Sequence, residues 1–151
     1  MRLATWNVNS LAVRLPQVLD WLATQAPDVL VLQETKLVDE KFPHAAFADA
    51  GWQSRCFGQK TYNGVALISR QPAEAVVNNI PGFADEQARV IAGTVAGLRV
   101  IGAYFPNGQA PDSEKFVYKM RWQDALREWV RAELSTHAQL LLMGDFNVAP
   151  E

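Results

Sequence analysis

Short apolar runs alternate with amphipathic stretches along most of this chain, a pattern that predicts strands interleaved with helices. Residues 28–34 form the clearest run, because they are apolar almost throughout and close on Glu34, as in a strand buried on both faces. Gly97 separates two later runs and predicts a tight hairpin. The predicted strands cover residues 3–8, 28–34, 65–69, 89–95, 98–104 and 139–143.

Two helices are predicted between these strands. The first runs from about Val13 to Pro27, with Pro16 in its first turn. The second begins near Ser113, a residue type suited to capping a helix N-terminus, and ends near His137. Strands joined by hairpins and covered by helices indicate an α/β sandwich. The helical residues predicted to pack on a sheet are Phe116, Met120, Trp122, Leu126, Trp129, Val130 and Leu134.

The composition is that of a single globular unit. The chain has 151 residues, of which 49% are hydrophobic and 20% charged, and its formal net charge is −2. That balance excludes a polybasic arm but not an enzyme that contacts nucleic acid through a local basic patch. One cysteine, Cys56, rules out an internal disulfide and predicts a buried or half-buried strand residue. We expect no membrane association and a cytoplasmic location.

Polar side chains that could perform chemistry follow the predicted strands. Asn7 follows the first strand, Glu34 closes the second, Tyr104 ends a later one, and Asp145 and Asn147 follow the last. Strand ends in α/β proteins often carry functional sites, and this oxygen-only set suits Mg²⁺ better than zinc, with Mn²⁺ as an alternative. The competing interpretation is that the asparagines are turn residues and that Glu34 caps a helix.

Five ordered motifs resemble those of exonuclease III. They are WNVNS at 6–10, QETK at 33–36, YNGVA at 62–66, YFPNG at 104–108 and GDFN at 144–147. Exonuclease III belongs to the endonuclease/exonuclease/phosphatase superfamily, which includes the deoxyribonuclease I-like nucleases. The resemblance covers the whole chain and implies an α/β sandwich of the deoxyribonuclease I-like type.

The resemblance also implies roles for the polar residues at the strand ends. Glu34 would be the principal metal carboxylate, and Asn7 would assist at the metal site. Tyr104 would donate a hydrogen bond to a non-bridging phosphate oxygen, and Asn147 would bond the scissile phosphate. Asp145 would orient or deprotonate the attacking water, or assist the leaving oxygen.

Basic and aromatic residues are candidates for DNA contacts. Side chains of this kind position a phosphate backbone without reading sequence. Arg89 and Lys115 match the exonuclease III pattern, although a solvated surface charge is the competing interpretation for any single basic residue. The other candidates are Lys60, Tyr62 and Asn63, with Lys36 and Arg14 as further basic residues.

These observations lead to three functional hypotheses. The first is a magnesium-dependent DNA-repair nuclease, a 3′-5′ exodeoxyribonuclease and abasic-site endonuclease that acts on double-stranded DNA. The second keeps the superfamily but makes the protein a phosphatase acting on a small phosphate ester. The third is a half-domain that binds DNA or a partner without catalysis.

Exonuclease III chains continue well beyond the GDFN motif, and their late aspartates and Ser-Asp-His-type motif have no counterpart here. We therefore expect residues 1–151 to be the N-terminal part of a single nuclease domain that is truncated after its first half. We also expect most of the second sheet to lie outside them. On that basis the full-length protein would be a monomer. The chain alone would be inactive and would self-associate through an uncovered sheet face.

Overall fold

Two four-stranded sheets stacked face to face form the core of the computed structural model, which describes residues 1–107 and 113–147. The strand order is β1-β2-β4-β3 in the first sheet and β5-β6-β7-β8 in the second. The strands are β1 (Leu3–Asn7), β2 (Val29–Gln33), β3 (Gln53–Phe57), β4 (Val65–Ser69), β5 (Glu74–Asn78), β6 (Val90–Val95), β7 (Leu98–Tyr104) and β8 (Leu140–Asp145). The helices are α1 (Leu11–Gln25), α2 (His44–Asp49) and α3 (Glu114–Leu134), with a 3-10 turn at Asp39–Lys41.

The first sheet is covered on its outer face by α1. This helix connects β1 to β2, which pair in parallel, while β4 runs antiparallel to β2 and β3. All five residues of β2 are buried because alternate side chains enter different layers. Leu30 and Leu32 pack with Val18 and Leu22 of the helix, whereas Val31 points into the space between the sheets.

The second sheet is built in the same way around α3, which connects the parallel strands β7 and β8. Trp122 and Leu126 of this helix are buried against the outer face of the sheet. The β6–β7 hairpin turns at Ala96 and Gly97, whose φ angles of 48° and 83° are both positive, as a two-residue type I′ turn requires. The hairpin predicted at Gly97 is therefore confirmed.

A four-stranded second sheet lies within the described residues, whereas most of the second sheet was expected to lie outside the chain. Val31, Val65 and Leu67 of the first sheet pack against Ile91 and Val100 of the second. The inner faces of β2, β4, β6 and β7 are therefore covered, whereas β1 and β8 are only partly buried. Self-association itself stays a prediction for light scattering. In the described part of the chain, β1 and β8 are edge strands that lie beside each other.

The helices differ from their predicted positions in two respects. The first helix begins at Leu11, so Pro16 lies in its second turn rather than its first. Along α3 the predicted stripe is wrong at Met120 and Leu134, which are 42% and 55% exposed, because the buried face centres on Trp122. The predicted capping of α3 is confirmed, since the Ser113 hydroxyl accepts the backbone N–H of Phe116 at 3.1 Å. No helix in the described ranges is both long and apolar enough to cross a bilayer.

Cys56 is half-buried on β3, as predicted, and it lies near polar neighbours. Its thiol donates to Asp39 Oδ1 at 3.5 Å, and its Sγ lies 3.7 Å from Nε2 of His44. Burial, followed by the negative charge of Asp39, raises the pKa of the Cys56 thiol to about 12. The thiol is therefore neutral at physiological pH.

The raised pKa predicts slow alkylation of Cys56. At pH 8 the thiolate fraction should be about a thousandfold lower than for a thiol at the ordinary value of 9.0, because only the thiolate is nucleophilic. Iodoacetamide labelling followed by intact mass measures the rate, and Asp39→Asn should accelerate it by removing the neighbouring charge. Labelling of the wild-type chain as fast as free cysteine would contradict this account.

Candidate active site

The strand ends of both sheets converge at one end of the sandwich. Asn7 ends β1 on the same face as Leu3, and Tyr104 ends β7 on the same face as Val100, so both side chains point into the space between the sheets. The sheets approach closely there because β7 carries Gly102. A Cβ at that position would lie 2.5 Å from a methyl carbon of Val31.

The side-chain amide of Asn7 connects two carboxylates that come from different sheets. Its Nδ2 donates to Glu34 Oε2 at 2.5 Å and to Asp145 Oδ2 at 2.9 Å. Its Oδ1 accepts the backbone N–H of Asn9 at 3.0 Å, which fixes the orientation of the amide. The structure thus brings together three of the predicted site residues.

Glu34 follows β2 in a left-handed backbone conformation with φ of 55°. A non-glycine residue in this region carries a conformational cost and occurs frequently at functional sites. The Lys36 ammonium lies 3.8 Å from Glu34 Oε1 and donates to Asn9 Oδ1 at 2.7 Å. Lys36 was predicted only as a DNA contact, but it also connects the turn after β2 to the turn after β1.

Tyr104 belongs to the second sheet and lies near the carboxylates of Glu34 and Asp145. Burial raises the pKa of Tyr104, and the charges of Glu34 and Asp145 act in the same direction, while Arg89 opposes them. The phenol is therefore held protonated, which is the form that donates a hydrogen bond.

Asp145 and Asn147 are oriented by the turn that follows β8. The backbone N–H of Asn147 donates to Asp145 Oδ1 at 2.9 Å, and Asn147 Nδ2 donates to the carbonyl of Phe105 at 3.2 Å. Gly144 precedes this turn with φ of 148°, and a Cβ there would lie 1.9 Å from the carbonyl oxygen of Ala103. Lys119 of α3, which no sequence pattern indicated, also contacts this turn, because its Nζ donates to the carbonyl of Asn147 at 3.4 Å.

The carboxylate oxygens of Glu34 and Asp145 are ligands that suit a hard divalent cation. Glu34 and Asp145 share the amide of Asn7, and the ligand atoms are oxygens. Mg²⁺ is commonly held by one or two carboxylates together with several waters. The described ranges contain no group of three histidine, cysteine or carboxylate side chains that could hold a metal, so this site offers two carboxylates and not three. In this arrangement Asn7 donates to the carboxylates, so it would orient the metal ligands through its N–H groups.

The two predicted DNA contacts Arg89 and Lys115 line one cleft beside Tyr104. The cleft has a volume of about 450 Å³, and Tyr118 of α3 also contributes to its wall. The Arg89 guanidinium donates to Gln87 Oε1 at 2.8 Å and to the carbonyl of Tyr104 at 3.2 Å. The structure thus places these basic groups next to Tyr104, the candidate hydrogen-bond donor to a phosphate oxygen.

The loop between β3 and β4 carries the other predicted DNA contacts. Asn63 lies beside the turn after β2, since its carbonyl accepts the backbone N–H of Lys36 at 2.9 Å, and its side-chain amide donates to Gln59 Oε1 at 3.1 Å. Lys60 and Tyr62 are exposed, and the structure gives their side chains no described contact with the carboxylates. Gln59, which the sequence analysis missed, anchors the loop by accepting the backbone N–H of Ala88 at 2.6 Å. Its role depends on contacts distant in sequence, so no local signal indicates it.

Solved structures with the same architecture are DNA-processing enzymes. A 3′ phosphatase from Neisseria bound to a product DNA hairpin matches the whole chain with a TM-score of 0.97 and 54% identity. An AP endonuclease from Archaeoglobus fulgidus matches the whole chain with a TM-score of 0.93 and 38% identity. The present chain covers 59% of the length of each. The α/β sandwich of the deoxyribonuclease I-like type is therefore confirmed.

Sequence comparison agrees with the structural comparison. Exodeoxyribonuclease III of Haemophilus influenzae is 32% identical over 156 residues, which include 99% of this chain and 58% of that protein. The chain thus spans little more than half of the length of its relative. Residues 4–151 match the family described as the endonuclease/exonuclease/phosphatase family. The resemblance seen in the five motifs is confirmed, and the chain belongs to the endonuclease/exonuclease/phosphatase family.

Proposed function

We propose that this chain supplies the metal-binding and phosphate-binding side chains of a Mg²⁺-dependent DNA-repair nuclease. The nuclease hydrolyses phosphodiesters as a 3′-5′ exodeoxyribonuclease and abasic-site endonuclease. The observation that carries the proposal is the amide of Asn7, which holds Glu34 and Asp145 from two different sheets beside the hydroxyl of Tyr104. Because the chain spans only 58–59% of its relatives, the activity is proposed for the full-length protein.

Glu34 is the carboxylate that would hold the cation, and Asp145 lies beside it on the same Asn7 amide. A bound Mg²⁺ or Mn²⁺ would supply charge stabilisation at the phosphoryl oxygens as the phosphate becomes more negative. Asn7 keeps both carboxylates in place, and its own orientation is fixed by Asn9. Preorganisation of this kind matters because charge stabilisation works best when the groups need not move during the reaction.

Asp145 is the group best placed to handle the proton of the attacking water. Its two oxygens each accept one hydrogen bond, from the Asn7 amide and from the backbone N–H of Asn147, so the carboxylate is held in a single orientation. An oriented carboxylate can align a water for in-line attack or accept its proton. Asn147 would then direct its side-chain amide to the scissile phosphate.

Tyr104 and Asn147 would act as hydrogen-bond donors to the non-bridging oxygens. The phenol remains protonated because burial and the nearby carboxylates raise the pKa of Tyr104. A phosphate oxygen bound beside the carboxylates would accept the hydrogen bond of this hydroxyl. Donors fixed at the developing negative charge lower the activation barrier.

DNA is the proposed substrate because basic groups flank the carboxylates. Arg89 and Lys115 line the same cleft as Tyr104. The Neisseria relative is described with a DNA hairpin product, and the Haemophilus relative is an exodeoxyribonuclease. The negative net charge of the chain would leave binding dependent on these local contacts and on the cation.

Lys115→Ala is expected to weaken duplex binding across sequences and to flatten its salt dependence. Loss of one phosphate contact should reduce the slope of log K against log salt by about one. Fluorescence anisotropy with two duplexes of unrelated sequence measures both effects, and Lys41→Ala, an exposed lysine of the 3-10 turn, is the matched control. A sequence-selective loss or an unchanged slope would contradict a backbone contact.

The experiment that tests the function compares substrates on the full-length protein. Cleavage of an abasic duplex and of a recessed 3′ end in Mg²⁺, abolished by EDTA and restored by added metal, would support the proposal. Turnover of a small phosphate ester with no DNA cleavage would favour the phosphatase hypothesis, and binding with no turnover would favour a non-catalytic module. Residues 1–151 alone are expected to show no abasic-site cleavage in the same assay.

A DNA 3′ phosphatase is the second candidate. It is suggested by the Neisseria relative described as a 3′ phosphatase, at 54% identity, although a Neisseria meningitidis structure described as a 3′-5′ exonuclease matches equally well, at 55%. A 3′-phosphorylated nicked duplex distinguishes the two, because a phosphatase releases inorganic phosphate and leaves the strand length unchanged. The same carboxylates and donors would serve either reaction.

A further inference from the structure

Tyr118 of α3 lies at the centre of a polar network outside the carboxylate cluster. Its hydroxyl donates to Asp85 Oδ2 at 2.6 Å, and Asp85 Oδ1 accepts the backbone N–H of Gln87 at 2.9 Å. Asn79 donates to the carbonyl of Asp85 at 2.9 Å. Tyr118 therefore connects the long helix to the loop that precedes β6.

The guanidinium of Arg89 lies between two tyrosine rings. Its central carbon is 5.0 Å from the ring centroid of Tyr104 and 5.8 Å from that of Tyr118. Both distances are within the range in which an aromatic ring attracts a cation. Arg89 is also held by Gln87 and by the carbonyl of Tyr104, so its position is determined from several sides.

From this geometry we propose that Tyr118 is a positioning residue, which acts through Arg89. Its ring, fixed by the bond to Asp85, holds the Arg89 guanidinium against Tyr104 and in the cleft where a DNA phosphate binds. The inference rests on the proposed function for the identity of the ligand. The placement of Arg89 by Tyr118 does not depend on it.

The physical reason for such a device is the length of the arginine side chain. A free arginine samples many rotamers, and ordering it when DNA binds costs conformational entropy. A guanidinium already ordered between two rings avoids that cost, because preorganisation raises affinity without a new contact. Arg89 also contacts the ring of Tyr104, so the same contacts help to position the candidate hydrogen-bond donor to the phosphate.

The test is a double-mutant cycle on the full-length protein. Duplex affinity is measured by anisotropy in EDTA, where no cleavage occurs, for the wild type, Arg89→Ala, Tyr118→Leu and the double variant. We expect Arg89→Ala to weaken binding about tenfold and Tyr118→Leu about fivefold. The double variant should bind no more weakly than Arg89→Ala. Tyr118→Phe, which keeps the ring and loses the Asp85 bond, should cost about twofold.

Trp129→Leu is the matched control for lost packing. Trp129 is a partly buried aromatic residue of the same helix and has no described contact with Arg89. This variant should lower the melting temperature while leaving duplex affinity unchanged. Equal losses from Tyr118→Leu in both arginine backgrounds, or a Tyr118→Leu protein that folds and binds like the wild type, would overturn the proposal.

A readout without DNA separates this inference from the proposed function. In the wild-type protein the Arg89 Nε–H should give an NMR signal that exchanges slowly with water and is shifted by the two rings. Tyr118→Leu should shift that signal and speed its exchange, whereas Trp129→Leu should not. A wild-type protein that binds no duplex would count against the proposed function alone. An Arg89 signal unaffected by Tyr118→Leu would count against the positioning role alone.

Discussion

Glu34→Gln is expected to lower metal-dependent cleavage by at least about a hundredfold, since a metal ion supplies several kcal/mol of transition-state stabilisation. Glutamine keeps the shape of the side chain, and its carbonyl can still accept the bond from Asn7. It removes the negative charge that a hard cation requires. The measurement is the initial rate on an abasic duplex across a Mg²⁺ titration, and added Mn²⁺ should restore part of the rate.

The matched control for Glu34→Gln is Glu40→Gln, which removes an exposed carboxylate from the 3-10 turn. Its rate and metal dependence should equal those of the wild type. A Glu34→Gln protein with a near-normal rate at ordinary Mg²⁺ concentration would falsify the assignment of Glu34 to the metal site. Thermal melts of both variants exclude loss of folding as the cause.

Asp145→Asn should lower the cleavage rate by at least about a hundredfold while duplex affinity changes less than about twofold. A catalytic carboxylate that acts on the water contributes to the transition state and little to the bound ground state, so kcat falls and affinity is retained. The substitution would also lower the rate in a second way. If the new amide nitrogen faced Asn7, it could not accept the hydrogen bond that Asp145 Oδ2 accepts from Asn7 Nδ2. Single-turnover rates and anisotropy separate the two quantities.

Asp124→Asn on α3 is the control for Asp145→Asn, because Asp124 is exposed and its ion pair is with Arg127 of the same helix. It should change neither rate nor affinity. If Asp145→Asn lost duplex binding but kept turnover at saturating substrate, the aspartate would be a binding residue. The catalytic role proposed here would then be wrong.

The buried strands were the most predictable part of the fold. The bounds predicted for β4 and β7 agree with the structure, and β2 differs by one residue at each end, because buried strands carry uninterrupted apolar runs. β3 and β5 were missed. Both are edge strands with polar residues such as Arg55 and Glu74, and their pattern does not differ from that of a loop.

The members of the site were easier to predict than their connections. Asn7, Glu34 and Asp145 each follow an apolar run, and their motifs mark them individually. Their sharing of one amide depends on how two sheets stack, which no local pattern encodes. Tyr118 of α3 was missed for the same reason, since its partners Asp85 and Arg89 lie about thirty residues earlier, in the loop that precedes β6.

The geometry of the site depends on the lack of a side chain at Gly102. Tyr104 lies two residues beyond Gly102 on β7, and Glu34 lies three residues beyond Val31 on β2. Hydrogen bonds connect the strands within each sheet, so the distance between the two sheets sets the separation of the tyrosine hydroxyl from the carboxylate. A side chain at position 102 would push the two sheets apart and so increase the distance between the Tyr104 hydroxyl and the Glu34 carboxylate, although position 102 itself lies in the core.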